Sequence, residues 1–289
     1  DALTKLGATF ELEKGYIQCS APKGLTGNKI ELPKVSVGAT ENIVMAASLA
    51  SGETEISNIA LEPEVIDLIN CLNTMGAKIE LGDNRSVMIQ GVKTLNGSIY
   101  SIIPDRIEAV TYIIAGALAG DGLKIENLNI EHISNVLETL KTLPVDIIFD
   151  ENSVTVNKSN ISEGIEIQTK EYPGFPTDVQ AQMMVLMSMA KTKSVIDENI
   201  FENRFMHVPE LNRMGANIEI NGKRAIINPC SGFRGAPVMA TDLRASVSLI
   251  LAGLAAEGET TLNRIYHLDR GYEQIEVKLE ACGAEIKRV

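Results

Sequence analysis

The sequence predicts an α/β protein built from a repeated β-α-β-α-β-β unit, several copies of which follow one another along the chain. Three observations carry that prediction. A string ending in Gly-Ala recurs at a nearly constant interval. Between its copies lies a second recurring segment that reads as a helix followed by a strand. Pairs of alternating apolar stretches then follow the strings, as hairpins require.

The string Leu3-Thr4-Lys5-Leu6-Gly7-Ala8 returns as Leu72-Asn73-Thr74-Met75-Gly76-Ala77. It returns again from Leu140 (with Leu143-Pro144-Val145), from Leu211 (with Met214-Gly215-Ala216) and from Leu279 (with Cys282-Gly283-Ala284). Its central positions 7, 76, 144, 215 and 283 are spaced by 69, 68, 71 and 68 residues. Glycine there supplies the left-handed residue that closes a helix. Proline cannot adopt positive φ, so the copy with Pro144 must turn differently.

The helix-and-strand segments are 36–58, 106–127, 177–199 and 241–264. In the first, Ile43, Ala46, Ala47, Leu49 and Ala50 give helical spacing, Ser51-Gly52 ends it, and Thr54-Glu55-Ile56 alternates as a strand. Alternation then pairs Ile79 and Leu81 with Val87 and Ile89, and Ile218 and Ile220 with Ala225 and Ile227. Units this large and mixed predict a closed α/β arrangement rather than a solenoid. The chain opens at Asp1 inside the second helix of a unit, so the natural protein is expected to be longer at its N-terminus, with N-terminal units missing here.

Composition narrows the function classes. The 289 residues suggest about two domains. With 26 basic against 38 acidic residues the net charge is −12, which argues against nucleic acid as a partner. The longest apolar run, 247–256, is broken by Ser248 and Gly253 and fits a core helix better than a membrane span. Cys19, Cys71, Cys230 and Cys282 form no CxxC pair and read as reduced, buried thiols of a cytoplasmic protein. Three scattered histidines offer no zinc site, and no metal or cofactor is expected.

The helix starts hold the chemistry. Asp105 and Glu108 have capping-box spacing, as do Thr177 and Gln180. Thr241 reads as a cap that places Arg244 at the third helical position, and Asp269-Arg270 reads as the opening of the last helix. A cation in the first turn opposes the helix dipole at roughly 0.3–1 kcal/mol, so Arg106, Arg244 and Arg270 each carry a cost. A shared anionic ligand would reverse it; pairing with Asp105, Asp242 and Asp269 would also relieve it. Lys34-Val35-Ser36-Val37-Gly38-Ala39-Thr40 runs into a helix with Ser36 as its cap, and its small residues let a ligand approach the backbone. The loop 172–178 is stiffened by Pro173 and Pro176 and presents Asp178 at a helix start, where it suits a general base or simply complements the dipole. His207 fits a structural hydrogen-bonding role.

Six strings together resemble the enolpyruvyl transferases: KVSVGAT (34–40), PDRIE (104–108), FPTD (175–178) with QAQ (180–182), ENRFMHVPEL (202–211), ATDLRAS (240–246) and IYHLDRGYE (265–273). The resemblance spans nearly the whole chain, and ENRFMHVPEL and HLDRGYE are its most specific parts. It implies an inside-out α/β barrel of six β-α-β-α-β-β units, three in each of two domains, with ligands bound between them. On that mapping residues 1–103 are the remainder of the first domain and 104–289 most of the second. The implied reaction moves the enolpyruvyl group of phosphoenolpyruvate onto the 3-hydroxyl of UDP-N-acetylglucosamine and releases phosphate, the first committed step of peptidoglycan synthesis. A relative acting on shikimate 3-phosphate, or a non-catalytic binding protein on the same repeats, remains an alternative.

By matching motif, Asp178 is the implied base, and Arg244 and Arg270, with Asp242, line the phosphoenolpyruvate pocket. Lys34, Val35, Ser36 and Val37 are implied to hold the UDP part, and Ile200 to face the uracil. Arg106 and Arg204 look like supporting residues. The family's proton-donating cysteine and an N-terminal Lys-Asn pair have no counterpart here, so the 289-residue chain alone is expected to be inactive.

Overall fold

Each Gly-Ala string ends a helix. In the computed structural model, which describes residues 1–289, the unit Asp1–Ile103 opens with α1 (Ala2–Lys5) and the hairpin β1 (Thr9–Glu13) and β2 (Tyr16–Ser20). A whole repeat follows: β3 (Lys29–Glu31), α2 (Val37–Ser48), β4 (Glu53–Ser57), α3 (Pro63–Thr74), β5 (Lys78–Gly82) and β6 (Ser86–Gln90). Its strands lie in the order β3-β4-β6-β5, with β3 and β4 parallel and the other pairs antiparallel. Ile79 faces Ile89 and Leu81 faces Val87, the register the alternation predicted. The inward residues of this sheet, Ile30, Ile56 and Ile89, pack with Ile43, Val44 and Ile69 of the helices into one core.

The unit Pro104–Val289 begins with α4 (Arg106–Ala119), β7 (Leu123–Glu126), α5 (Ser134–Lys141), β8 (Ile147–Phe149) and β9 (Ser153–Val156). A second whole repeat follows: β10 (Glu166–Gln168), α6 (Gln180–Ser188), β11 (Ser194–Asp197), α7 (Val208–Arg213), β12 (Asn217–Asn221) and β13 (Arg224–Asn228). The chain finishes with β14 (Pro237–Met239), α8 (Leu243–Leu254), β15 (Thr261–Asn263) and α9 (Ile275–Ala281). The sheet β10-β11-β13-β12 repeats the first unit's strand order, with Ile218 opposite Ile227 and Ile220 opposite Ala225. β7-β9-β8 and β14-β15 make smaller sheets. Every residue of α6 is buried, because it packs against both α4 and α8; its sequence is accordingly apolar almost all round.

Gly7, Gly76, Gly215 and Gly283 take φ of 101°, 99°, 101° and 95°. The alanine after each donates its N–H to the carbonyl five residues back, at 3.0 Å in all four cases, which is the Schellman closure. At Pro144 the turn differs as expected, with Val145 N–H bonded to the Leu143 carbonyl at 2.8 Å.

The strands pair only within their own repeat, and no sheet closes on itself. One expectation is corrected. The cysteines are free but not buried: Cys19 lies on a hairpin exposed on both faces, Cys282 at the exposed end of α9, and Cys71 and Cys230 are half-buried. No helix is long and apolar enough to cross a membrane.

Candidate active site

Asp178 stands at the centre of a cationic cluster in the second unit. Its stiff loop ends in a single 3-10 turn, Thr177–Val179, that leads into α6. The carboxylate is 40% exposed and lies between two guanidiniums: Arg204 Nη2 donates to Oδ1 at 2.5 Å, and Arg244 Nε stands 3.8 Å from Oδ2. Arg204, expected only to support the site, thus meets the proposed base directly.

Arg244 enters the cluster from the head of α8. The cap there is Asp242, not Thr241: its Oδ1 accepts from the N–H groups of Arg244 and Ala245 at 2.8 Å each. The helix therefore starts one residue later than predicted and Arg244 is its second residue. Between adjacent candidates the carboxylate wins, being the stronger acceptor for a positively polarised helix end. Burial works against the charge on Arg244, but Tyr272 and Asp178, then Asp105, outweigh it and hold its pKa above the ordinary guanidinium value. Its Nη1 is buried and has no protein partner. A buried donor left open in this way is a place for an anionic ligand's oxygen.

Beneath these residues lies a buried polar network. Tyr272 Oη meets Thr111 Oγ1 of α4 at 2.9 Å and Gln182 Nε2 of α6 at 3.4 Å, and Gln182 also donates to the Asp178 carbonyl at 2.9 Å. The Arg244 guanidinium stands 5.6 Å from the centre of the Tyr272 ring. Burial raises the Tyr272 pKa, with Arg244 opposing. His207, the residue before α7, is fully buried with no partner for either ring nitrogen, so the expected hydrogen-bonding role is not what it performs. Burial pushes its pKa down to about 4, with Asp242 working the other way.

Arg270 departs from expectation. It does not open a helix; it ends a 3-10 segment, Ile265–Arg270, and α9 starts only at Ile275 after a left-handed Gln274. The dipole cost assigned to it is therefore absent. Its neighbour Asp269 is taken by Arg288 at 2.6 Å, which leaves Arg270 exposed and without an ion pair. Next to it, Gly271 lies so close to Leu243 that a Cβ would stand 2.9 Å from Leu243 Cδ1, which brings this segment to the same end of α8 as Arg244.

Arg106 lies at the start of α4 behind its cap, Asp105, with its guanidinium 5.5 Å from the Tyr172 ring centre. The cavity beside these two is about 10 Å³, room for one water, which suits a structural role. Glu108 does not close a capping box but pairs with Lys278 at 2.8 Å. Thr177 does not cap α6; its hydroxyl donates to Glu198 at 2.9 Å.

In the first unit, Ser36 caps α2 as predicted, accepting from Ala39 N–H at 3.4 Å. Lys34 is exposed, Val35 and Val37 are half-buried, and nothing lies within 4 Å of a Cβ built on Gly38, so the head of α2 is open. Ile200 is half-buried just after β11, its N–H held by Glu198 at 2.9 Å. Sequence reading passed over Glu198, Gln182, Thr111 and Tyr272. For Thr111 and Gln182 the available signal was a polar residue on a helix stretch otherwise apolar; Glu198 and Tyr272 stand among polar neighbours and carried none.

The sequence profile described as EPSP synthase (3-phosphoshikimate 1-carboxyvinyltransferase) matches residues 1–279. The UDP-N-acetylglucosamine 1-carboxyvinyltransferase of Gluconobacter oxydans is 54% identical over 287 residues, covering 99% of this chain and 69% of that protein. Its namesake from Pelagibacter ubique is 54% identical over 288 residues, covering 100% and 69%. Among solved structures, the enolpyruvyl transferase NikO from Streptomyces tendae matches with a TM-score of 0.91 and 28% identity, over 99% of this chain and 71% of that one. EPSP synthase from Acinetobacter baumannii matches with a TM-score of 0.74 at 18% identity, over 99% and 70%, a likeness of fold alone. A carboxylate set among arginines at the helix heads of a β-α-β-α-β-β repeat thus occurs in a chain that belongs to the enolpyruvyl transferase family.

Proposed function

We propose that the chain is a UDP-N-acetylglucosamine 1-carboxyvinyltransferase, which transfers the enolpyruvyl group of phosphoenolpyruvate to the acceptor's 3-hydroxyl, releases phosphate, and serves peptidoglycan synthesis. The observation that carries the reading is Asp178 held between Arg204 and Arg244 on a stiff turn. Relatives 54% identical over nearly the whole chain carry that name, which favours this acceptor over shikimate 3-phosphate.

The chemistry divides among the residues as follows. The acceptor hydroxyl approaches Asp178, which takes its proton as oxygen attacks C2 of phosphoenolpyruvate. C3 gains a proton from a general acid outside these residues; the tetrahedral adduct then gives up a C3 proton as its C2–O bond to phosphate breaks, which restores the C2=C3 double bond and releases phosphate. Arg244, with an open buried N–H, and the unpaired Arg270 bind the donor's anionic groups and offset the charge that develops on them. Asp242 fixes the head of α8 and so the direction of Arg244. Lys34, Val35, Ser36 and Val37 are assigned to the UDP part, and Ile200 to the uracil. No metal or cofactor has a step in this scheme. The two compact units are read as the remainder of the first family domain and most of the second.

Phosphate release from phosphoenolpyruvate, measured with each acceptor in turn in the intact protein, tests the reading. Release that requires UDP-N-acetylglucosamine and not shikimate 3-phosphate is expected. The reverse preference, or none, would overturn it.

A further inference from the structure

Glu198 is 1% exposed, yet no cation pairs with it. Its Oε1 accepts from the Thr169 hydroxyl at 2.9 Å and from the N–H groups of Ile200 and Phe201 at 2.9 and 3.1 Å. Its Oε2 accepts from the Thr177 hydroxyl at 2.9 Å. Thr169 in turn accepts the Asn199 N–H at 2.8 Å, which directs its own proton toward Glu198.

The repeats show what this position holds elsewhere. After Ser57, the last residue of β4, comes Asn58 with φ of 60°, and then Ile59, whose N–H bonds to the Arg85 carbonyl. After Glu126, the last residue of β7, comes Asn127 with φ of 59°, and then Leu128, bonded likewise to Asn152. Ile59 and Leu128 are 0% and 5% exposed. Asp197, the last residue of β11, is followed directly by Glu198 with no left-handed residue between, and Glu198 itself bonds to the Lys223 carbonyl in the equivalent place. One repeat alone therefore buries a carboxylate where its sisters bury Ile or Leu. Burying a carboxylate without a cation costs stability that an aliphatic side chain would not, so folding gives no reason for it.

What the carboxylate gains is a junction. One oxygen draws in the Ile200–Phe201 segment; the other holds Thr177, the neighbour of Asp178 in the same 3-10 turn. We propose that Glu198 is a positioning residue that locks the segment facing the nucleotide and the turn carrying the base into one rigid piece, so that the acceptor hydroxyl meets Asp178 in register. The inference rests on the acceptor reading given under Proposed function.

Its test uses Glu198→Gln and Thr177→Val in the intact protein, with KM for each substrate and kcat read from phosphate release, and thermal unfolding alongside. Glu198→Gln puts a donor where only acceptors serve, and should lower kcat/KM for UDP-N-acetylglucosamine by about tenfold or more while KM for phosphoenolpyruvate stays within about twofold. Thr177→Val cuts only the tie to the base's turn, and should lower kcat by roughly three- to tenfold with little change in acceptor KM. For Glu198→Gln, lower thermal stability with kcat and both KM values unchanged, or a rise in KM as large for phosphoenolpyruvate as for UDP-N-acetylglucosamine, would overturn the proposal. Where Glu198→Gln does not fold, an unchanged kcat in Thr177→Val does the same. Wild-type protein that releases no phosphate with UDP-N-acetylglucosamine would instead defeat the acceptor reading itself.

Discussion

The repeats running from β3 to β6 and from β10 to β13 share their strand order, their Schellman glycines and a side-chain latch. In the first, Asn73 donates to the Ile79 carbonyl at 2.9 Å and accepts its N–H at 3.0 Å; in the second, Asn212 does the same with Ile218 at 2.9 Å both ways. They part at the connections. The first turn of α2 carries no acidic residue and is capped by a serine, whereas α6 is entered through the turn that bears Asp178. β4 runs on through Asn58 to a buried isoleucine, β11 to a buried glutamate. The frame common to both repeats holds the fold, and the residues that break its pattern gather around one carboxylate. Sites of function are where local rules are expected to fail.

Perturbing the residues gathered around Asp178 should act on turnover, and perturbing the shared frame on stability. After Asp178 itself, the largest effect is expected at Arg244, which α8 brings to the same carboxylate and where lysine cannot reproduce the planar fork; Arg244→Lys should lower kcat/KM for phosphoenolpyruvate by about 10²-fold in steady-state assays. Next comes His207. Its folded pKa near 4 lies below the ordinary 6.5, so below pH 6.5 the unfolded chain takes up a proton that the folded chain refuses. Stability should fall as pH drops from about 6.5 to about 4, by about 3 kcal/mol in all, and His207→Phe should flatten that slope in acid unfolding curves. Smaller still, Gly76→Ala and Gly215→Ala should each cost about 1–2 kcal/mol in denaturant unfolding through their positive φ. The second should cost more, since its Cβ would stand 3.2 Å from the Gly232 carbonyl against 3.5 Å from the Asn96 amide for the first. Asn73→Ala and Asn212→Ala, which open equivalent latches, should each cost about 1 kcal/mol, and markedly unequal losses would break the equivalence of the repeats.

Much of the frame was legible in the sequence because its signals are local. A glycine at a helix end, an alternation of two and a proline where glycine is expected each act within a few residues. The Ser36 cap was legible for the same reason; Asp178 and Arg244 were singled out by their places at helix starts, and their roles came only from the resemblance to the family. The misreadings arose where a local rule offers two answers or none. Thr241 and Asp242 are adjacent caps, and only geometry decides between them. Arg270 precedes a left-handed Gln274 that delays α9, and no preference of glutamine announces that backbone. Arg204 reaches Asp178 across 26 residues, and Glu198 reaches Thr169 across 29, distances at which spacing carries no information.

The role of Asp178 is open to the most direct check. Asp178→Asn keeps the side chain's shape while removing its basicity, and UDP-N-acetylglucosamine binding can be measured on the same sample as phosphate release. A base predicts turnover lowered by about 10²–10⁴-fold with acceptor affinity changed only a few-fold. Turnover equal to wild type, with the acceptor still bound, would contradict proton removal by this carboxylate.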